Sequence, residues 1–159
     1  MDVNEIKAPF QIIGDRIKKL EIENDFVFID LTDEGIKREI GVSYEVSDPF
    51  ILDDSEETFA GKVMMYIDLE VSDDECKACI SLELEGCFII DEPNSEEVLR
   101  EMLPINGCAA LYSIARGIIS SVTSHMCGNG SILIPMINTF ELRDSIEEDE
   151  YIATDETDG

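Results

Sequence analysis

The side chains that could do acid–base or nucleophilic chemistry are few and isolated in this sequence. His125 is the only histidine, and it follows an apolar helical stripe, where a histidine near a helix end is expected more often than a catalytic base. Acid pairs such as Asp53-Asp54 and Asp73-Asp74 fall in loop-like segments, as solvated charges do. The spaced motifs for nucleotides, nucleophilic serine, zinc proteases and calcium loops do not occur in the sequence. We therefore expect a protein that is not an enzyme, with no catalytic residues and no cofactor.

The five cysteines form one formal metal or redox motif, Cys76-Lys77-Ala78-Cys79. No second Cys or His pair follows at a spacing typical of zinc. The motif also lies in a predicted strand, where positions three apart face opposite sides. Free thiols and no metal site are the expectation.

The N-terminus and the hydropathy pattern bear on location. MDVNEIKAPF has neither the basic nor the apolar region of a secretory signal. No apolar run reaches the length of about 18 residues that a membrane span requires. We expect a cytoplasmic protein without direct membrane insertion.

Net charge limits the partners of this protein. The chain has 159 residues with 11 Lys and Arg and 37 Asp and Glu, a formal charge of −26. Nucleic acid and anionic membrane surfaces would repel such a chain. The partners that fit are neutral, apolar or basic. A hydrophobic content of 44% is enough for one folded domain.

The charge is unevenly distributed along the chain. Residues 102–140 carry only Arg116 as a formal charge, whereas the chain from Glu141 onward is mostly acidic. This contrast predicts a folded domain over residues 1–142, followed by an acidic, disordered tail over 143–159.

Alternating hydrophobicity predicts four strands, at 10–22, 36–46, 62–71 and 77–88. The polar link at 72–75 is typical of a hairpin between the last two strands. In the first strand the alternation slips at Gly14-Asp15, which predicts a bulge or break there. The result is an antiparallel sheet with one apolar face and one acidic face.

Two helices are expected after the strands. The first begins at Asn94 or Ser95 and stops near Pro104, and the second runs from about Asn106 to Cys127. The second helix has an apolar stripe and an opposite face of small uncharged residues, so both faces can pack. We expect oligomerisation through this helix, by an interface that includes Leu111, Ile114, Gly117, Ile118 and Ser121.

Two aromatic segments have two interpretations that the residues alone leave open. Phe26-Val27-Phe28-Ile29 and Pro49-Phe50-Ile51-Leu52 lie beside acidic loop residues. They are either edge and core residues or the walls of an apolar groove for unstructured polypeptide.

The last third of the chain resembles the SecB family of protein-export chaperones. The similarity lies in Leu111-Tyr112-Ser113-Ile114-Ala115-Arg116, then Gly128, then Ile134-Pro135-Met136-Ile137-Asn138-Thr139-Phe140. Residues 24–60 match the family only loosely, and Ser113 replaces a proline of the family's long helix.

The resemblance implies an α+β fold, a four-stranded antiparallel sheet packed on a long helix, assembled as a homotetramer that is a dimer of dimers. It also implies an ATP-independent holdase that binds unfolded client polypeptides in apolar grooves and delivers them to SecA of the export machinery. By position, the client-binding residues are Phe26, Phe28, Phe50 and Ile51. The acidic face for the receptor comprises Glu21, Glu23, Glu83 and Glu85.

An alternative hypothesis is a dedicated SecB-like chaperone of one partner, such as the antitoxin of a toxin–antitoxin pair. A hydrolase built on the acids would need a metal.

Overall fold

The computed structural model describes residues 8–53, 58–90 and 95–146. One antiparallel sheet dominates these residues. Its strands are β1 (Phe10–Asn24), β2 (Lys37–Val46), β3 (Phe50–Asp53), β4 (Thr58–Ser72) and β5 (Lys77–Ile90). The long strands lie in the order β1–β5–β4–β2, and β3 pairs with β4 beyond the end of β2. The α+β class and the antiparallel sheet are confirmed. The number of strands was wrong, because the four residues of β3 are too few to show an alternation.

The two faces of the sheet follow directly from the alternation in β4 and β5. The inward side chains of β4, from Val63 to Val71, are at most 3% exposed, and those of β5 from Ala78 to Phe88 are at most 2% exposed. Their sequence neighbours Asp68, Glu70, Glu83 and Glu85 take the opposite face.

Two bulges keep β1 in phase with β5. The pairing shifts between Ile12 and Gly14 and again between Ile17 and Lys19. The first shift adjoins the position where the alternation slips in the sequence, which confirms the predicted bulge. The second shift restores the phase, so Leu20 and Ile22 face the same side as their partners Leu82 and Ile80.

The helical layer is continuous where the sequence predicted a break. Helix α1 (Glu96–Met102) leads through a π-helical turn (Leu103–Gly107) into α2 (Cys108–Thr123). Pro104, which has no N–H to continue an α-helical hydrogen-bond pattern, lies at the start of that π-helical turn. The predicted stop near Pro104 was therefore wrong. Ser95 is the N-cap residue, yet its buried hydroxyl makes no capping bond.

The joined helices Glu96–Thr123 contain an 18-residue window with a mean hydropathy of 1.3, which satisfies the length and composition of a membrane span. This is weak evidence, because a core helix meets the same criteria. Here Leu99, Leu103, Leu111, Ala115 and Ile119 are at most 1% exposed and belong to the core.

Glycines on the inner face of the sheet let the helical layer approach closely. A Cβ atom on Gly61 would meet Leu103 Cδ1, and a Cβ atom on Gly86 would lie 2.9 Å from Leu111 Cδ1. These contacts are shorter than carbon atoms tolerate, so a side chain at either position would displace the leucine that packs there.

A third helix, α3, covers residues 139–146. The predicted boundary at 142/143 falls inside it, and Leu142 and Ile146 pack against the core. Residues 143–146 are therefore helical, which corrects the prediction of a disordered tail for these four. The remainder of the predicted tail, 147–159, lies outside the described residues.

The close approach at Gly86 predicts a difference between two glycine substitutions in the sheet. Gly86→Val should lower the free energy of unfolding by about 1–3 kcal/mol, because the added carbons overpack against Leu111 and Phe88. Gly41→Val is the matched control, since a Cβ atom there meets nothing within 4 Å and valine suits a strand. Urea unfolding followed by circular dichroism at one protein concentration measures both variants. Equal stability of the two would contradict the packing described here.

Candidate functional site

The crossover segment between β1 and β2 is anchored by one buried residue, Ile29, and exposes the two apolar residues before it. Ile29 is fully buried; its N–H donates to the Met126 carbonyl (2.9 Å), and its carbonyl accepts from the Gly128 N–H (2.9 Å). Its neighbours Val27 and Phe28 are 98% and 62% exposed. The backbone pairing thus fixes an apolar surface at the end of α2.

The Phe28 ring packs closely over Gly128. A Cβ atom on Gly128 would lie 2.9 Å from Phe28 Cδ2. The ring therefore lies against the backbone of the turn that follows α2, and only its outer part is open to a partner.

A polar cluster secures the same crossover. Asn129 Nδ2 donates to Asp30 Oδ1 (2.8 Å), while Asn129 Oδ1 accepts from the Leu31 N–H (3.0 Å). The Thr32 hydroxyl and N–H also donate to Asp30, at 2.6 and 2.9 Å. Together these donors lower the pKa of the Asp30 carboxyl, with Thr32 contributing most. Asn129 thus ties the loop to the helix end by two bonds, of which the one to the Asp30 carboxylate is charge-assisted.

An extended strap, residues 131–138, returns alongside α2 and is held there by side chains of that helix. The Tyr112 hydroxyl donates to the Pro135 carbonyl (2.7 Å), and Arg116 Nε donates to the Ile134 carbonyl (2.9 Å). The Thr123 hydroxyl accepts from the Ile132 N–H (2.8 Å). Arg116, the one formal charge of residues 102–140, is therefore used to satisfy a backbone carbonyl.

The strap alternates between buried and exposed side chains. Ile132 and Ile134 are 3% and 2% exposed, whereas Leu133 and Met136 are 71% and 74% exposed. Phe140, at the start of α3, is 54% exposed. The strap therefore presents large apolar side chains to solvent on a backbone that is fixed from behind.

The predicted client-binding residues fall into two separate groups. Phe26 and Phe28 lie at the end of the sheet where Asp25 bonds to Lys77. Phe50 and Ile51 lie on β3, beyond the opposite end of β2. The ten residues of β2 separate the two groups by about 30 Å, so the structure does not bring them into one pocket.

The two predicted residues on β3 also face opposite sides of the sheet. Phe50 pairs with Ala60 and Ile51 with Phe59, on adjacent positions of β4. They are 36% and 53% exposed, and the next residue, Leu52, is 51% exposed.

The four predicted receptor residues share the outer face of the sheet, but their surroundings differ. Glu85 has a side chain only 15% exposed and pairs with Arg16 (2.7 Å) and Lys62 (3.8 Å). Glu21 pairs with Lys19 (3.0 Å) and remains 63% exposed. Glu23 is exposed, and Glu83 is half-buried opposite Lys19. Cations therefore neutralise the Glu85 end of this face.

Three further carboxylates, those of Glu39, Asp68 and Glu70, lie on the outer face nearer β2. A shallow depression of about 440 Å³ is lined there by Glu39, Gly41, Asp68, Glu70 and Ser81, with neighbouring strand residues. Ser81 donates its hydroxyl to Asp68 (2.5 Å), and Lys77 pairs with Glu70 (2.6 Å). Gly41 contributes no side chain, which leaves room for the end of a basic residue.

The predicted oligomer interface divides between core and surface. Leu111 is fully buried against the sheet, so it cannot contact a second chain, and its assignment to the interface was wrong. Ile114 and Ile118 are half-buried, while Gly117 and Ser121 are exposed. A Cβ atom on Gly117 would meet nothing within 4 Å.

Metal-ligand side chains do not cluster within the described ranges 8–53, 58–90 and 95–146. No group of three His, Cys, Asp or Glu side chains there could hold a metal ion. Burial raises the pKa of the Cys108 thiol to about 12, and burial also raises the pKa values of Cys87 and Cys127. Cys76 lies in the turn before β5 and only Cys79 in the strand.

No family model and no curated protein match the chain in sequence. A solved structure matches its fold: the SecB-like chaperone Rv1957 of Mycobacterium tuberculosis, in complex with a ChAD peptide from the Rv1956 HigA1 antitoxin. The TM-score is 0.57 at 15% sequence identity, and the match covers 82% of this chain and 91% of that chain.

The fold is SecB-like. The match supports the fold that the sequence pattern at residues 111–140 implied, although an identity of 15% makes any family relationship a distant one. The sequence did not predict the exposed side chains of the strap. Apolar residues alternate between Ser131 and Pro135, which indicates an extended segment, but this alternation does not show which of its two faces is covered.

The strap generates a prediction about Tyr112. Tyr112→Phe removes only the hydroxyl that donates to the Pro135 carbonyl, so it should lower the free energy of unfolding by about 0.5–1.5 kcal/mol and increase hydrogen exchange at residues 132–134.

Tyr66→Phe is the control for that variant, because its hydroxyl donates to the exposed Glu45 on the outer face (3.3 Å). It should change neither quantity measurably. Unchanged exchange in Tyr112→Phe would show that this bond does not hold the strap.

Proposed function

We propose that this protein is an ATP-independent holdase chaperone, which binds unfolded polypeptides without catalysis and without a cofactor. The observation that carries the proposal is the set of apolar side chains that polar contacts hold exposed on a SecB-like fold. Phe28, Leu133 and Met136 are 62–74% exposed, although the backbone on either side of them is anchored. Large apolar side chains presented in this way are typical of interaction surfaces.

The same side chains suit clients without structure. Fully burying one Leu, Phe or Met side chain contributes about 1.5–3 kcal/mol, and ordering a client chain offsets much of that gain. Binding then requires several such contacts along an extended segment. This arrangement favours apolar content in the client over a particular sequence.

The separation of the two predicted groups fits a long client. The gap of about 30 Å between Phe28 and Phe50 is the length of nine or ten extended residues, roughly 3.3 Å each. One unfolded segment can contact both groups, whereas a small ligand cannot. We therefore assign Phe26, Phe28, Phe50 and Ile51 to two ends of one extended binding surface, with the strap residues as additions.

The outer face supplies a site for a basic receptor. The depression at Glu39, Asp68 and Glu70 is acidic and open, and it lies on the same face as Glu83 and Glu85. In a cytoplasmic holdase that serves export, the basic receptor would be the SecA motor. The proposal of delivery to the export machinery is based on the opposite charges of this acidic depression and a basic receptor.

A dedicated chaperone of one partner is the second candidate function. What favours it is the solved neighbour of the same fold, which is in complex with an antitoxin peptide. Mass spectrometry of the native complex separates the two candidates. One stoichiometric partner supports dedication, whereas a mixture of unfolded chains supports a general holdase.

Client binding predicts the effect of removing the exposed side chains. The double variant Phe28→Ser and Leu133→Ser should bind a reduced, unfolded protein at least tenfold more weakly and should fail to suppress its aggregation. Each lost side chain removes about 1.5 kcal/mol or more of apolar burial.

Val98→Ser is the matched control, because Val98 on α1 is 46% exposed but lies apart from the strap and the crossover. It should retain full holdase activity. Equal holdase activity of the double variant and this control would contradict the proposed client-binding surface.

The homotetramer is proposed to form through α2. Gly117→Leu should reduce the particle mass in solution, since the fold of one chain tolerates the added side chain while a second helix packed there would not. Gly117→Ala improves helix propensity similarly with little bulk and serves as the control. Light scattering measures both, and an unchanged mass for Gly117→Leu would remove α2 from the interface.

A further inference from the structure

Met136 is the most exposed methionine among the residues that the structure describes. It is 74% exposed and lies on the strap, within the surface assigned to clients. Met65 is fully buried and Met126 is 8% exposed, whereas Met64 and Met102 are half-buried. Because an oxidant in solution reacts with accessible sulfur atoms, Met136 is the thioether that it meets first.

A hydrogen-bond donor from α2 is directed at the same sulfur atom. Arg116 Nη1 donates to Met136 Sδ (2.8 Å), while Arg116 Nε donates to the Ile134 carbonyl (2.9 Å). A thioether sulfur is a weak acceptor, so this guanidinium N–H gains little from the reduced side chain. The oxygen of a sulfoxide carries partial negative charge and is a much stronger acceptor. The guanidinium therefore stabilises the oxidised form of Met136 more than the reduced form.

We propose that Met136 is a reversible oxidation site, at which conversion of the thioether to the sulfoxide weakens client binding. In this step a sulfur lone pair attacks one oxygen of hydrogen peroxide, so that an S–O bond forms and the O–O bond breaks. The leaving hydroxide takes the proton from the transferred oxygen and departs as water. Sulfur loses two electrons, and the peroxide gains them. The new sulfoxide oxygen then accepts a hydrogen bond from Arg116.

Oxidation removes one apolar contact from the strap, and this consequence rests on the proposed holdase function. A sulfoxide is polar and chiral, so its burial beneath a client costs the hydration of its oxygen. Phe28 and Leu133 keep their exposed apolar side chains. The oxidised protein is therefore a weaker holdase that releases clients sooner, rather than an inactive one. Methionine sulfoxide reductases reverse the change, with one enzyme for each epimer of the sulfoxide.

Four of the five cysteine thiols are poor competitors for the peroxide. The thiolate is the reactive form of cysteine, and burial raises the pKa of the Cys108 thiol to about 12. Burial also raises the pKa values of Cys76, Cys87 and Cys127. These four thiols therefore stay protonated near neutral pH and react slowly with peroxide.

The sulfoxide epimers test the role of Arg116, which exposure of the sulfur alone does not require. A donor fixed on one side of the sulfur favours one epimer, whereas a methionine without such a donor gives nearly equal amounts. After hydrogen peroxide treatment of the full chain, the Met136 peptide should carry one epimer in at least about threefold excess. Arg116→Leu should abolish this excess. Tyr112→Phe is the control, because it loosens the strap but keeps the guanidinium, and it should preserve the excess.

Client binding supplies the second readout. Peroxide should raise the dissociation constant of wild type for a reduced, unfolded protein at least about fivefold, and one of the two reductases should restore it. Met136→Leu keeps an apolar side chain and all five thiols, so its affinity should match wild type before peroxide and persist afterwards. Met64→Leu is the matched control, because Met64 is half-buried on the outer face. It should stay as sensitive to peroxide as wild type, and circular dichroism checks the fold of each variant.

The oxidation site and the holdase function fail by different results. If reduced wild type does not bind the unfolded protein before peroxide is added, the holdase function is contradicted. The oxidation site is overturned if Met136 stays reduced while Met64 and Met102 are oxidised, or if its two sulfoxide epimers form in equal amounts. Its role in client binding is overturned if Met136→Leu loses as much affinity in peroxide as wild type does.

Discussion

Partial coverage of the sheet is the constraint on which the rest of this structure depends. Helix α2 packs over β4 and β5, whose inward side chains are almost completely buried. The edge strand β1 keeps inward side chains that are 36–48% exposed. One helical layer is too narrow for the apolar face of four long strands, so surface at the edges is left for other chains.

The partial coverage of the sheet also explains where the polar contacts form. Because the strap and the crossover cannot enter the core completely, Tyr112, Arg116, Thr123 and Asn129 tie their backbones to the helix or to its end. Each bond satisfies a backbone group that would otherwise be unpaired. The outcome is an exposed apolar surface with an anchored backbone, which is the property a binding surface requires.

The helical side of the sheet carries few charges, and its outer face carries many carboxylates. The helical layer and the strap carry Arg116 as their one formal charge between residues 102 and 140, whereas the carboxylates of β4 and β5 lie on the outer face. An acidic exterior keeps a protein with exposed apolar patches soluble, because particles of like charge repel each other. The cations of β1 and β4 pair with Glu85, and Lys77 pairs with Glu70, so both areas of the outer face are partly neutralised.

The sequence by itself determined which face of each long strand is apolar and where β1 first bulges, because both follow from the two-residue alternation of strand side chains. It also determined where α1 begins, because that depends on a few neighbouring residues. It further determined that α2 can pack on two sides. Tertiary structure alone decided the remaining points. Pro104 is accommodated in a π-helical turn because the helices must continue across the sheet, and Leu111 is buried because Gly86 lets α2 approach closely. The separation of Phe28 from Phe50 and the exposure of Leu133 depend on which segments cover one another, and that is a property of contacts between residues distant in sequence.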